Sequence, residues 1–153
     1  VDYITHLRLF AVFGKYEDYE TRFISNAICR ALLKTPITIR QNVMFDYLFI
    51  DDFIRILERC IVEKPKEIFI NIGRGEAIDL KTLAEKVLYE IGYEAPIQIA
   101  NNGWAKEYSC DVTILKELFP DLSYTPVDNA IVNLVAYYKT VLPNLNHQAL
   151  LEE

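Results

Sequence analysis

The feature that most restricts this chain is the run Ile4-Thr5-His6-Leu7-Arg8-Leu9-Phe10-Ala11-Val12-Phe13, unbroken apolar after Arg8 and stopped by Gly14. A strand with apolar side chains on both faces belongs in a sheet covered on both sides, as the parallel sheets of α/β folds are. The following segments keep that rhythm. After a polar, aromatic loop from Lys15 to Tyr19, residues 20–33 put Ile24, Ala27, Ile28, Ala31 and Leu32 on one helical face, and Pro36 marks the exit. Residues 37–39 read as a short strand, Gln41-Asn42 as a turn, and residues 43–50 as a second strand. Asp51 and Asp52 are expected to cap a helix reaching about Val62. Residues 68–72 read as a strand closed by Gly73-Arg74-Gly75, and Asp79 caps a helix that Gly92 stops. Residues 96–100 suggest a strand and Asn101-Asn102-Gly103 a turn. Asp111 opens a short helix before Pro120. Thr125-Pro126-Val127-Asp128 combines a Thr N-cap, Pro at the first helical position and an early acid, ahead of an apolar face from Ala130 to Tyr138. The expected fold is α/β, a small mixed sheet with about five helices. Residues 1–141 form one lobe and residues 142–153 a tail, frayed or a lid.

Composition narrows the function. At 153 residues the chain suits one domain, and its 52% hydrophobic content excludes a disordered chain. Lys and Arg number 16 against 22 Asp and Glu, a net charge of −6. That balance argues against nucleic-acid partners and anionic membrane surfaces, which need a basic stripe. Cys29, Cys60 and Cys110 are widely spaced and read as reduced, buried thiols of a cytoplasmic protein. His6 and His147 lie at opposite ends, so neither a metal site nor a Cys–His pair is expected. No apolar run reaches the roughly 18 residues of a membrane span. The chain begins at Val1 rather than Met, and reads as processed or as an excerpt of a longer protein.

A complete active site does not emerge from the residues alone. Gly73-Arg74-Gly75 follows a strand, as a dinucleotide fingerprint would, but Ile78 holds the third glycine position and no acid follows at the right distance. A tight turn explains both glycines better. There is no phosphate-binding G-x-x-x-x-G-K-[ST] and no G-x-S-x-G elbow. None of the tyrosines has a lysine four residues on, and no catalytic residue is assigned.

The order of segments nevertheless resembles a family. Leu7-Arg8-Leu9-Phe10-Ala11-Val12-Phe13-Gly14 resembles the R-x-x-N-V-Y-G strand of the extended short-chain dehydrogenase/reductases, the NAD(P)-dependent nucleotide-sugar epimerases, dehydratases and reductases. Phe45-Asp46-Tyr47-Leu48-Phe49-Ile50-Asp51-Asp52 resembles their R-D-[FY]-x-x-V-x-D segment. Asn71-Ile72-Gly73-Arg74-Gly75 with Asp79-Leu80 resembles N-x-G-x-G…S-L. Cys110-Asp111, Tyr124-Thr125-Pro126 and Tyr137-Tyr138-Lys139 are similar to the carboxyl end. The resemblance covers residues 4–141. It implies the carboxyl-terminal, substrate-binding part of a Rossmann-type enzyme, with one strand of the nucleotide-binding sheet. The catalytic Tyr–Lys pair and the glycine fingerprint would lie upstream of the chain. It also implies NAD or NADP in the intact enzyme, a nucleotide-sugar substrate, a missing amino-terminal half as partner, and a possible homodimer. The chain alone is then expected to be inactive and to bind no cofactor.

The same resemblance supplies candidate site residues. Phe10 and Ala11 fall at the cofactor side of the first strand. The family's phosphate-binding Asn is Ala11 here, its Tyr is Phe13, the following Pro is Lys15, and the Arg before Asp-Tyr is Phe45. Either Lys15, Arg40 or Lys106 replaces the two lost phosphate contacts, or the substrate is not a standard nucleotide sugar. Arg40 ends a strand where the family holds base and phosphates, and a guanidinium suits a diphosphate, but it reads equally as a solvated surface arginine. Lys106 fits a plain loop position better. Phe23 and Asn26 begin the helix that lines the family's sugar pocket; Phe23 suits the core, Asn26 a ligand. Tyr16 and Tyr19 close a loop over substrate or pack on the surface. The alternative to an enzyme part is a stand-alone, non-catalytic α/β interaction module. In either case residues 4–13 are expected to self-associate or to fold back over the core, because an uncovered apolar strand is costly in water.

Overall fold

The apolar run at the start does become a strand, but one with two partners. In the computed structural model, which describes residues 4–151, β1 (His6–Leu9) pairs in parallel with β6 (Phe69–Ile72). β2 (Val12–Phe13) pairs in parallel with β5 (Leu48–Phe49). The exchange happens at Ala11, whose φ of 30° lies outside the region that L-residues favour. Phe10 N–H still donates to Ile72 O (3.0 Å), whereas Ala11 O already accepts from Leu48 N–H (3.2 Å). The expected continuous strand is thus split. Phe13 is buried, while Ile4 and Leu9 stay exposed at the β1 edge.

Two further ladders complete the strands. β3 (Ile37–Asn42) pairs in parallel with β8 (Ile97–Trp104), and β4 (Met44–Phe45) pairs antiparallel with β7 (Ile78–Asp79). The result is four two-stranded ladders rather than one small mixed sheet. Gln41-Asn42 is therefore not a turn, and neither is 101–103. There Gly103, at φ 78°, absorbs a register shift inside β8. Residues 43–50 are not one strand, because Asp46 and Tyr47 separate β4 from β5.

Six α-helices, not about five, cover these ladders: α1 (Phe23–Leu32), α2 (Ile50–Glu63), α3 (Leu80–Ile91), α4 (Thr113–Leu118), α5 (Val127–Val141) and α6 (His147–Leu151). Asp18 accepts from Thr21 Oγ1 (2.6 Å) and Glu20 N–H (3.0 Å), and this turn delays α1 to Phe23. The expected caps divide. Asp79 does cap α3, accepting from Thr82 N–H (3.1 Å), and Gly92 stops it at φ 70°. Asp52 does not cap α2. It is buried and accepts from Thr125 N–H (3.0 Å) and Thr125 Oγ1 (2.7 Å), with Arg55 paired to it. Thr125 is thereby drawn from its own capping role, and Pro126 occupies the N-cap of α5. A buried carboxylate needs hydrogen bonds more than an exposed helix end does. The segment expected as a tail forms a 3-10 turn (Leu142–Asn144) and α6, whose Leu150 is buried in the core. Residues 1–3 of the expected lobe and 152–153 of the tail lie outside the described residues.

Two apolar clusters hold the chain. One joins α1, α3 and α5 through Ile24, Ile28, Leu83, Val87, Leu134 and Tyr138. The other joins α2 and α4 to β1, β5 and β6 through Leu48, Ile56, Ile70, Ile72, Leu115 and Phe119. Each fully buried aliphatic or aromatic side chain contributes about 1.5–3 kcal/mol.

Candidate ligand clefts

Two openings of about 590 Å³ each flank the loop that runs from β2 into α1. The first is lined by Leu9, Ala11, Gly14, Lys15, Glu17, Ile50 and Tyr108. The second lies between α1 and the β3–β8 ladder and is lined by Phe23, Asn26, Arg30, Thr38, Arg40 and Gln98, with Glu20 at its edge. The loop between them is pinned. Ser25 Oγ donates to Glu17 Oε2 (2.6 Å), Tyr16 sets its ring against Tyr137 (5.4 Å), and Asn146 N–H donates to Tyr19 Oη (3.0 Å). Burial pushes the Glu17 carboxyl above its ordinary range, opposed by the Ser25 hydroxyl and the Gly14 N–H. Tyr19 is thereby held to its own chain, whereas Tyr16, despite its edge contact with Tyr137, stays 86% exposed and lines the first opening.

The structure divides the expected site residues. Arg40, Phe23 and Asn26 meet in the second opening; Lys15 and Ala11 meet in the first; Lys106 is exposed and lines neither. Phe10 does not face the first opening. Its ring lies tilted against that of Tyr108 (5.3 Å between centroids) and packs against the second apolar cluster. Asn26 does not offer its amide to the opening. Its Nδ2 donates to Tyr19 O and Glu20 O (both 3.1 Å), and its Oδ1 accepts from Arg30 Nε (3.0 Å). It is a brace for Arg30, a residue that the sequence reading passed over. The available signal was a basic residue beside the apolar stripe of α1, four positions after an amide.

The Gly73-Arg74-Gly75 turn tests whether a dinucleotide fits. In a pyrophosphate cradle the backbone N–H groups face outward and the glycines leave space for the ligand. Here the N–H groups of Arg74 (2.8 Å) and Gly75 (2.7 Å) both donate to the buried carboxylate of Asp46. A Cβ on Gly73 would lie 2.6 Å from Cys110 Cβ, and one on Gly75 would lie 2.4 Å from Val112 Cγ2. Tyr124 Oη donates to Gly73 O (3.0 Å), and Arg74 Nη1 to Thr125 O (2.7 Å). The space and the donors are consumed within the chain, so this turn does not fit a dinucleotide. Burial raises the Asp46 carboxyl, against the pull of the Arg74, Gly75 and Cys110 N–H groups. The thiols of Cys29 and Cys110 are pushed up to about 12, mainly by burial. Among the described residues no helix is long and apolar enough to cross a membrane.

Comparison with known proteins places these features. Residues 2–73 match the model of the NAD dependent epimerase/dehydratase family. No curated protein matches the sequence. Among solved structures, the GDP-L-fucose synthetase from Naegleria fowleri bound to NADP is 15% identical with a TM-score of 0.76, covering 91% of this chain and 47% of that one. The UDP-glucuronic acid 4-epimerase from Bacillus cereus in complex with NAD is 23% identical with a TM-score of 0.72, covering 88% and 44%. The UDP-glucose 4-epimerase from Thermotoga maritima with UDP-glucose is 21% identical with a TM-score of 0.71, covering 90% and 46%.

These findings correct the expectation of a carboxyl-terminal, substrate-binding part alone. The family match runs over residues 2–73, in the first half of the chain, and corresponds to the family's nucleotide-binding region. The stand-alone interaction module gains no support from it. The chain spans about half the length of these structures, and its α/β fold, with six helices and parallel strands, is that of about half of such an enzyme. Just under half of the chain, residues 2–73, is thus similar to the NAD dependent epimerase/dehydratase family, and its fold is similar to about half of these solved enzymes.

Proposed function

We propose that this chain is a nucleotide-handling part of an NAD-dependent epimerase/dehydratase, with a nucleotide sugar as the ligand. The observation that supports this reading is the convergence of Phe23 and Asn26-braced Arg30 from α1 with Arg40 from β3 on one opening. In this reading the second opening takes the nucleotide end. The first opening, with Lys15 at its rim, takes the part of the ligand nearest the reacting centre. The chain's own residues bind, orient and exclude water; no tyrosine–lysine pair is present to move a proton. The dinucleotide would supply the hydride acceptor. The glycine turn does not cradle it, so NAD is not held by these residues alone. Free thiols at Cys29, Cys60 and Cys110 suit a reducing compartment such as the cytoplasm.

Calorimetry with UDP- and GDP-sugars, NAD and NADP tests this. A nucleotide sugar should bind and the dinucleotides should not. Arg40→Ala should weaken sugar-nucleotide binding by about 1 kcal/mol or less, because that side chain is exposed to solvent. Micromolar NAD binding without nucleotide-sugar binding would overturn the reading.

A further inference from the structure

We infer that the groove between α1 and the β3–β8 ladder is an anion site whose deep ligand is Arg30, with Arg40 at its mouth, and that a phosphate group sits there. The inference rests on the reading that this groove takes a nucleotide. It adds that the groove reads the charge of the ligand, not a neutral base.

Arg30 is only 8% exposed. Its Nε donates to Asn26 Oδ1 (3.0 Å), and among the described residues the rest of its guanidinium has no hydrogen bond and no carboxylate at ion-pair distance. Among the described residues the fully enclosed side-chain polar atoms without a partner are Glu67 Oε2 and Tyr138 Oη and not the nitrogens of Arg30, whose side chain lines the opening. A charge desolvated to this degree is normally paired, because burial penalises it steeply. Asn26 cannot neutralise it. It does aim it: the amide is held by Tyr19 O and Glu20 O, which fixes Oδ1 toward Nε. Arg40 adds a second guanidinium from the adjacent strand, and Thr38 and Gln98 add uncharged polar groups. Glu20 is the carboxylate on this lining, and it is not at ion-pair distance from either arginine. Two guanidiniums against one carboxylate make a cationic groove in a chain of net charge −6. A planar fork fits phosphate oxygens bidentately, which an ammonium does not.

The test is calorimetry on the whole chain with inorganic pyrophosphate, UDP, uridine and UDP-glucose. Pyrophosphate and UDP should bind and uridine should not. Arg30→Gln, which keeps a donor for Asn26, should weaken both by about tenfold or more, and Arg40→Gln by less, since that side chain is solvated. Raising salt from about 50 to 500 mM should weaken the wild-type binding. If Arg30→Gln fails to fold, as judged by its melting curve, Arg30→Lys decides: it should bind pyrophosphate severalfold more weakly than wild type. Uridine binding as well as UDP, wild-type affinity in the Arg30 variants, or no pyrophosphate or UDP binding by the wild type would each overturn the inference. UDP-glucose binding that ignores Arg30 would sink the inference alone. Pyrophosphate binding through Arg30 with UDP-glucose no tighter would sink the nucleotide-sugar reading alone.

Discussion

The Gly73-Arg74-Gly75 turn and the α1–β3 groove look reversed when sequence is set against structure. The turn carries the residue types of a phosphate site, yet Asp46, Tyr124 and Thr125 occupy its donors and acceptors. The groove has no recognisable motif, yet it holds a buried arginine whose hydrogen-bonding capacity is mostly unspent. What separates a structural element from the proposed ligand site here is not residue type. It is whether polar capacity is already satisfied inside the fold.

That contrast can be broken most forcefully at the turn. Gly73→Ala forces a Cβ to within 2.6 Å of Cys110 Cβ. It should destabilise the fold by about 3 kcal/mol or more, because neither a backbone turn nor a buried Cys can retreat cheaply. Chemical denaturation measures this, and a stability within error of wild type would show that the turn has room for a ligand after all. Asp46→Ala comes next. It strands the Arg74 and Gly75 N–H groups and should cost about 2–3 kcal/mol.

The titration of Asp46 sharpens the comparison further. Its folded pKa is raised above the ordinary 3.8 by burial, so the native state binds its proton more tightly than the unfolded chain does. Its contribution is fully present below that ordinary value and is lost as pH rises through the folded value. Asp46→Asn should therefore flatten the stability curve from about pH 4 upward. An unchanged slope would mean that other carboxylates, Glu17 among them, carry that dependence. Asp79 runs the opposite way. Burial pushes its carboxyl up, but bonds from the Thr82 hydroxyl, Asn42 and the Thr82 N–H together leave it lowered. Its contribution is present above its unfolded value and is lost as pH falls through the folded one. Asp79→Ala, the smallest effect, should cost about 1 kcal/mol through the lost α3 cap, with that acid-side loss removed. Thermal melts across pH check both.

Much of the fold was legible. The apolar stripe Ala130, Ile131, Leu134, Val135 and Tyr138 is buried as its helical spacing requires, and Asp79 and Gly92 bound α3 as their chemistry demands. These are local rules, in which a residue and its near neighbours decide the outcome. Legibility failed where a distant partner competed. Asp52 and Thr125 are both good capping residues, and each abandons its own helix because they lie together in the fold. Ala11 carries no sign of a break, yet the strand changes partner there.

The site divides along the same line. The amino-acid order by itself determined that the chain alternates strand and helix, that it lacks a tyrosine–lysine pair, and that its glycine pair is no dinucleotide fingerprint. Only the tertiary structure decided which polar side chains are left with something to bind. Asn26 was spent on Tyr19, Glu20 and Arg30, and Arg30 was left open to the groove beside Arg40. The physical reason is that hydrogen bonds and burial are settled among groups far apart in the chain. A polar residue's spare capacity is a property of that whole arrangement and not of its position in the sequence.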